Sequence, residues 1–300
     1  MIIVLTRGLQ IYLMCSGSHD HSCKVRDGYR TKMAHFYITL PSNSSMHYYP
    51  NNTVTRYTTR LENAISLSGD WEVGLVEIQY QHTWFNLERG EGRVTYTQAV
   101  EVRGKLTHLQ NSLRLTPGYY DSTTDLIQMI NDHIRDTANN FELASFTKFQ
   151  YNAITKRVTA DIHKGTSVHF SPTLGSMLGL GVRQNPIINT DETSLQWSAN
   201  NACDINRGFS SIYVYCNVLE HIPVGDTKAP LLRIVHLSGK SGDNVHVTYE
   251  KPLYVPLQQK SFDSIEIDLR SDFGNSIPFQ YGKAIVTLHF RRCKIPYLLQ

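Results

Sequence analysis

The feature that most constrains the fold is a strict two-residue alternation of apolar and polar side chains in the last forty or so positions. Two runs place an apolar residue at every second position: Ile265, Ile267 and Leu269 in one, and Val286, Leu288 and Phe290 in the other. Successive side chains of a β-strand point to opposite faces of the sheet. Each run therefore predicts a strand with one face on a core and the other in solvent.

Runs with strand character recur along most of the chain, with turn-type residues such as 68–70 and 90–92 between them. Besides 262–270 and 286–291, strands are predicted at 35–40, 53–59, 71–80, 93–102, 212–217 and 231–237. Trp71–Tyr80 has apolar residues at both parities, which predicts a central strand covered on both faces. About seven to ten short strands are typical of an all-β sandwich or barrel.

A different pattern interrupts the strands in the middle of the chain. Ser122–Asp125 is similar to a capping box, and apolar residues then recur at helical spacing, which predicts a helix over 122–138. A hairpin-like pair at 148–151 and 157–162 and a short helical turn within 171–180 follow. We therefore expect 33–102 and 208–293 to form one sandwich, with 103–207 as a helix-containing insertion or elaborated connection.

Residues 1–32 differ from the rest because they end in a polar stretch before Met33 opens the first strand-like run. Two readings are open: a flexible arm, or a gene-model extension ahead of a true start at Met33. We expect the leader to have no fixed place in the core. The jelly-roll domain would then span 33–300.

Composition narrows the class of function. A hydrophobic fraction of 41% and a mean hydropathy of −0.30 are ordinary for a globular chain with a buried core, and no run approaches the roughly 18 apolar residues that span a bilayer. We therefore expect no membrane association. The net charge of +3 is too small to indicate nucleic-acid binding. Arg291, Arg292 and Lys294 form the clearest basic cluster, which could face packaged DNA but is expected more simply to be a solvated strand end.

The five cysteines are odd in number, widely spaced and without a C-x-x-C pair, which argues against a disulfide framework or a structural zinc site. We expect a reducing compartment, with Cys216 as a small core residue. Two glycosylation sequons begin at Asn43 and Asn51.

Motifs of enzyme chemistry are incomplete throughout the sequence. Gly239–Ser241 is similar to the end of a P-loop but lacks the upstream glycine, and Gly208–Ile212 fails the G-x-S-x-G pattern at its last position. His19–Cys23 contains metal-ligand chemistry without a second ligand set downstream. We therefore assign no catalytic, cofactor-binding or metal residues and expect the protein not to be an enzyme.

Several motifs, in this order and spacing, resemble the minor capsid (penton) proteins of Polinton/Maverick elements and adintovirus-like viruses. These motifs are Leu115–Tyr120 with Leu126–Ile127 and Ile130–Asn131, Phe170–Leu180, Tyr213–Cys216, Val224–Asp226, Leu231–Arg233, Tyr254–Leu257, Ile277–Phe279, Gly282–Lys283 and Leu288–Arg291. The resemblance covers roughly residues 33–293. It implies a single jelly roll of two antiparallel sheets, homopentamers at capsid vertices, and a double-jelly-roll major capsid protein as neighbour. It also implies location in the virion after intracellular, nuclear assembly, and it supplies no catalytic residues.

Two other classes of function compete with a capsid role. A jelly-roll lectin or receptor-binding module would account for the tyrosine-rich composition and the sequons. A cupin-type enzyme would require a closely spaced set of histidine and carboxylate ligands on facing strands, and the sequence contains none that we recognise.

Overall fold

The structure is a computed structural model, and it describes residues 35–102, 105–140, 147–191 and 193–293. The leader, residues 1–32, lies outside the described residues. The chain divides into two compact units: Met1–Thr83 with Ser210–Gln300, here the sandwich unit, and Trp84–Phe209, here the inserted unit. None of the helices in the described ranges is long and apolar enough to cross a membrane.

The sandwich unit consists of two antiparallel sheets and one small hairpin. Its strands are β1 (His35–Pro41), β2 (Arg56–Ser66), β3 (Trp71–Gln81), β11 (Ser211–Cys216), β12 (Ile222–Val224), β13 (Thr227–Ala229), β14 (Leu231–His236), β15 (Asn244–Thr248), β16 (Tyr254–Pro256), β17 (Ser261–Ser271) and β18 (Ile285–Arg292). The first sheet has the order β1-β18-β3-β15, with β16 also paired to β3, and the second has the order β14-β11-β17-β2. With β12, β13 and β16 set aside, eight strands remain, and their sequence ranks are 1-8-3-6 in one sheet and 5-4-7-2 in the other. This is the order of a jelly roll, which confirms the expected fold class.

The core of the sandwich is formed by the alternating residues that the sequence indicates. Ile265, Ile267 and Leu269 of β17 and Val286, Leu288 and Phe290 of β18 are all fully buried. The Phe36 and Phe290 rings stack with centroids 4.8 Å apart, and Phe262 of the opposite sheet lies 5.9 Å from Phe290. The two sheets are therefore joined by an aromatic layer, as face-to-face packing requires.

The prediction that β3 is covered on both faces is wrong. The strand is central, with β18 on one side and β15 and β16 on the other, but it is not covered on both faces. Its buried side chains are Trp71, Val73 and Leu75 before a shift of pairing register with β18, and Ile78 and Tyr80 after it. A β-bulge inserts one extra residue into a strand, so the odd-numbered residues face the core before it and the even-numbered residues face the core after it. The apolar residues at both parities therefore mark the bulge rather than a second covering layer.

The inserted unit contains the main helix of the described chain. Its elements are β4 (Arg93–Val102), β5 (Lys105–Arg114), α1 (Thr123–Asn140), β6 (Lys148–Asn152), β7 (Arg157–Ile162), β8 (Thr166–Phe170), α2 (Pro172–Met177), a 3₁₀ turn (Val182–Gln184), β9 (Ile187–Asn189) and β10 (Leu195–Ser198). They form one sheet of order β5-β4-β8-β9 and another of order β10-β7-β6. Ser122 Oγ accepts hydrogen bonds from the backbone N–H groups of Thr124 and Asp125, so it caps α1 as the sequence predicts.

The second correction concerns β4. We expected Arg93–Val102 among the sandwich strands, but β4 pairs with β5 and β8 in the inserted unit. The compact unit begins at Trp84, so the segment outside the sandwich is longer than the expected 103–207. The sequence of an amphipathic strand does not indicate which strand it pairs with, because the alternation of apolar and polar residues shows only that one face is buried. The expected helix, the hairpin β6–β7 and the helical turn α2 are present within this unit.

Candidate interaction surfaces

The outer face of the first sheet carries a compact group of polar aromatic side chains, here the histidine–tyrosine cluster: His35, Tyr37, Tyr254, His289 and Arg291. Tyr37 and His289 are register partners on β1 and β18, and their rings stack with centroids 4.3 Å apart. Tyr254 Oη lies 2.7 Å from His289 Nδ1, and His35 meets His289 edge-on at 5.2 Å. Because these residues alternate with the buried ones, the same strands that form the core also assemble this surface.

The electrostatics of the cluster keep its central histidine neutral. Burial lowers the pKa of His289 to about 4, and the nearby positive charges of His35 and Arg291 act in the same direction. Arg291 lies over the Tyr254 ring with 3.3 Å between its Cζ and the ring centroid, and its Nε donates to Glu72 Oε1 at 2.6 Å. A neutral imidazole among phenol rings suits recognition of a flat partner surface, since each group combines an apolar face with a polar edge.

A chain of polar contacts extends this face across the sheet. Thr39 and Thr287 hydroxyls lie 3.3 Å apart, and Thr287 Oγ1 donates to Glu77 Oε2 at 3.3 Å. His246 Nε2 of β15 lies 2.7 Å from Glu77 Oε1. The outer face of the first sheet is therefore a connected polar surface rather than a covered apolar one.

The outer face of the second sheet is charged. Arg56 of β2 pairs with Glu266 of β17 at 2.9 Å, and Arg270 pairs with Asp268 at 2.9 Å. Beside these pairs lies an open cavity of about 380 Å³, with Tyr215 among the residues that line it. The cavity is lined by hydrogen-bonding groups and one aromatic ring. These groups could contact a small ligand, but they do not form a catalytic site.

A third surface is apolar and lies between two strand edges; we refer to it as the edge groove. It has a volume of about 390 Å³ and is bordered by β14 and by the segment that contains β16. Two motifs of the sequence resemblance, Leu231–Arg233 and Tyr254–Leu257, contribute residues to it, and β15 separates them in sequence. Gly74 permits this arrangement, because a Cβ at Gly74 would approach Leu253 O to 2.9 Å.

Two incomplete enzyme motifs have structural roles in the sandwich unit. Gly239–Ser241 lies in the turn between β14 and β15, where Asp243 Oδ2 accepts from the Lys240 backbone N–H at 2.7 Å, and the strand β15 follows. Ser210 Oγ donates to Asp272 Oδ2 at 3.1 Å, so its partner is a carboxylate and not an imidazole base. Neither geometry matches the site that its motif would require.

Potential metal ligands and reactive cysteines are few in the part of the chain that the structure describes. Among residues 35–102, 105–140, 147–191 and 193–293, no group of three or more His, Cys, Asp or Glu side chains could hold a metal ion. The His19–Cys23 string lies outside those ranges. Cys203, Cys216 and Cys293 are free thiols, and Cys216 is buried as expected. Burial raises the pKa of Cys216 to about 12 and that of Cys203 to about 11, which removes thiolate character at neutral pH.

The basic cluster is partly neutralised. Arg291 is bound to Glu72, and Arg292 Nη2 donates to the Ser68 carbonyl at 3.2 Å. Lys294 lies outside the described residues. Asn43 and Asn51, the acceptor positions of the two sequons, are exposed in the loop between β1 and β2. A phosphate backbone would therefore meet less free positive charge than the sequence suggests.

The sequence reading did not identify the histidine–tyrosine cluster. Its residues were visible as the polar members of alternating runs, such as His35 and Tyr37 around Phe36. What the pattern does not contain is the adjacency of β1, β18 and β16, which brings residues more than two hundred positions apart into contact. The sequence indicated this cluster only through histidine and tyrosine residues at the outward-facing positions of several strands.

Comparisons with known proteins give likenesses in structure but none in sequence. No family model matches the sequence, and no curated protein matches it. Among solved structures, the chain is similar to the mavirus penton protein, with 10% identity, a TM-score of 0.49, and coverage of 86% of this chain and 100% of that chain. These values are too low to carry an argument about function. The proposal below therefore rests on strand topology and on the sequence resemblance.

Proposed function

We propose that this protein is a penton-type minor capsid subunit of a virus or of an integrated virus-like transposon, located in the virion after assembly in the nucleus. The observation that carries the proposal is the jelly-roll order of the eight principal strands, which is a capsid architecture as well as a lectin and cupin one. Fold alone does not choose among these functions. The ordered motifs along 33–293 favour the capsid function.

The proposed assembly is a homopentamer beside a double-jelly-roll major capsid protein. Identical subunits that meet through heterologous contacts form a closed ring when the repeated rotation closes. A specific contact of this kind needs about 1,000 Å² or more of total buried surface. The loop between β17 and β18 exposes Phe273 and Tyr281 at 64% and 62%, and exposed aromatic side chains of this kind suit a lateral contact.

The test is native mass spectrometry and sedimentation over a concentration series, with the protein alone and with the double-jelly-roll partner. We expect pentamers, more stable with the partner than without it. Phe273→Ser should weaken self-association at least about tenfold, as loss of a buried aromatic anchor does. Ile154→Ser, at a 93% exposed position of the inserted unit, is the matched control and should leave association unchanged. A strict monomer under both conditions, with specific glycan binding, would instead favour the lectin-type function.

A further inference from the structure

The edge groove contains one charged side chain among apolar ones. Arg233 of β14 lines it, and the other lining residues are aliphatic, aromatic or proline. Leu231 and Val255 are buried in its walls, whereas Leu253 is 64% exposed. The volume of about 390 Å³ lies within the range of about 300–1,000 Å³ that is usual for small-molecule sites. The groove therefore has the size and the apolar lining of a ligand site with a single charged contact.

Arg233 lies on the core side of the second sheet. It is the register partner of Val214 on β11, and directly opposed residues of paired strands project from the same face. Val214 is fully buried, and so is Val235, two positions along β14 on the same face. Because β14 is the outermost of the described strands in its sheet, Arg233 projects into the gap between the two sheets at the edge of the sandwich.

The positive charge of Arg233 has no counter-charge within the described residues. The guanidinium lies over the Tyr249 ring, with 3.5 Å between its Cζ and the ring centroid. Its Nη1 is buried without a hydrogen-bond partner, and the ion pairs of the described arginines do not include it. A half-buried cation without a partner is costly, and an anion would supply both the charge and the acceptor.

The backbone at the end of the opposite wall is already paired. The Pro256 carbonyl accepts from the Glu220 N–H at 3.0 Å, and the Gln258 N–H donates to the Val218 carbonyl at 3.0 Å. These bonds use the groups that a peptide strand in the groove would need for its own N–H and C=O groups. An alkyl chain has no polar groups to satisfy, so an alkyl ligand fits this wall better than a peptide does.

We propose that the edge groove binds a single-chain alkyl carboxylate, the chemical class of a medium-chain fatty acid. The carboxylate pairs with the Arg233 guanidinium, and the alkyl tail lies against Leu231, Leu253 and Val255. Burial of the tail supplies most of the affinity, and the ion pair fixes the direction of the ligand. The inference does not depend on the penton function, because the groove lies within the sandwich unit of one chain.

The first experiment measures binding to the full chain by calorimetry, with hexanoate, octanoate and decanoate below the concentrations at which they form micelles. We expect saturable binding, with a dissociation constant that falls about two- to fourfold for each added CH₂ group, because each buries further apolar surface. Amide hydrogen exchange in the presence of decanoate should slow most at 231–234 and 253–256. Absence of saturable binding, or protection only elsewhere on the protein, would overturn the proposal.

The second experiment tests the carboxylate contact. Decanol has the same tail without the charge and should bind to the wild type at least about fivefold more weakly than decanoate. Arg233→Gln should remove this preference, because it abolishes the positive charge, and should leave the affinity for decanol unchanged. If the wild type bound both ligands equally, or if Arg233→Gln weakened both equally, the assignment of Arg233 would be wrong.

The matched control for Arg233→Gln is Arg60→Gln. Arg60 lies over the Tyr48 ring, with 4.5 Å between its Cζ and the ring centroid, and it belongs to the same unit but not to the groove. The two substitutions change the net charge by the same amount and each removes an arginine from a tyrosine ring. The preference for decanoate should persist in Arg60→Gln, and its loss there would show that general charge attraction causes it.

The third experiment tests the tail contact and the kind of occupant. Leu253→Ser, at an exposed position, should weaken decanoate and decanol by the same factor, because both ligands place the same alkyl chain there. An effect on neither ligand would contradict the proposed position of the tail. A short peptide with leucine at its free C-terminus presents a carboxylate on a polar backbone. If this peptide bound more tightly than decanoate, the occupant would be a protein terminus and the proposal would be wrong.

Discussion

In the sandwich unit three strand pairs, β1–β18, β2–β17 and β3–β18, join opposite ends of the chain, whereas in the inserted unit most pairs are near neighbours. Phe36 of β1 lies opposite Phe290 of β18. In the inserted unit β4 pairs with β5, and β6 with β7, across short connections. Distant pairing requires loop closure before any contact forms. The sandwich core therefore depends on the whole chain, and the inserted core depends on a continuous stretch.

The two units also differ in how they satisfy backbone polar groups away from the strand ladders. In the inserted unit three asparagine side chains each bond both the N–H and the C=O of one distant residue: Asn86 with Tyr120, Asn131 with Phe149, and Asn185 with Phe170. An amide side chain has the donor and acceptor of a peptide group, so each asparagine replaces a missing strand neighbour. In the sandwich unit only Asn52, with Thr58, has this arrangement among the described hydrogen bonds.

The sandwich unit thus satisfies its backbone groups mainly through strand ladders, while the inserted unit also uses asparagine side chains as substitutes for strand neighbours. Each unit has its own buried core, centred on residues such as Leu288 in one and Ile130 in the other. Separate cores favour separate cooperative units.

The largest effects are expected from truncating either core. Leu288→Ala, Ile267→Ala and Ile130→Ala should each cost about 2–5 kcal/mol of unfolding free energy, because each removes a buried aliphatic side chain and leaves a cavity. Hydrogen exchange should separate them: the first two should accelerate exchange in the sandwich strands and the third in residues 84–209. If Leu288→Ala accelerated exchange equally in both units, they would unfold as one.

An intermediate effect is expected at the asparagine bridges. Asn131 Nδ2 donates to Phe149 O, and Phe149 N–H donates to Asn131 Oδ1, both at 2.8 Å. Asn131→Ala should cost about 1–3 kcal/mol, since it leaves two backbone groups of β6 without partners. Chemical denaturation measures the change, and Gln128→Ala on the exposed side of α1 should stay within about 0.5 kcal/mol. Equal costs would mean that water replaces the asparagine.

A pH effect on stability is expected from His289 on the surface of the sandwich unit. The pKa of His289 is lowered to about 4 by burial, so the unfolded chain takes up a proton at higher pH than the folded chain. Stability from this group is present above the ordinary pKa, about 6.5, and is lost as pH falls from there towards 4. NMR titration of the imidazole should give the low pKa directly. His289→Gln should reduce the fall in melting temperature between pH 7 and 4.5, whereas His108→Gln in the inserted unit should not.

The smallest effect is expected at the exposed pair Arg56–Glu266, with side chains 60% and 31% exposed. Glu266→Ala should cost no more than about 1 kcal/mol, and most of the loss should disappear in 1 M salt because solvent and ions screen the pair. Denaturation at low and high salt measures both. A cost close to that of Ile267→Ala would show that the inward and outward registers of β17 are reversed.

The sequence pattern was sufficient to predict those strands and helices whose formation depends on residues close together in the chain. The alternation in β17 and β18 correctly gave their buried faces, and the helical spacing of Leu126, Ile127 and Ile130 placed α1 to within a few residues. The hairpin β6–β7 followed from two short runs and a turn-rich connection. In each case one stretch of chain contains both the apolar face and the signals that end it.

The candidate surfaces could be anticipated only in part, because each depends on which strands lie side by side. His289 was recognised as a strand histidine, but its contacts with Tyr37 and Tyr254 depend on the order β1-β18-β3 and on β16 beside β3. The edge groove likewise requires β14 and β16 to be at the borders of their sheets. Neither adjacency leaves a trace in the periodicity of the strands involved.

By itself, the sequence determined that this protein is a mainly β chain with a helix in its middle segment, and which side chains of β17 and β18 face a core. The tertiary structure alone decided that β4 leaves the sandwich, that β3 changes parity at a bulge, and which strands meet. The physical reason is that the buried face of a strand is encoded by residues two positions apart. The strand order is instead the arrangement of lowest free energy among all possible pairings. Alternation is a local property, and pairing is not.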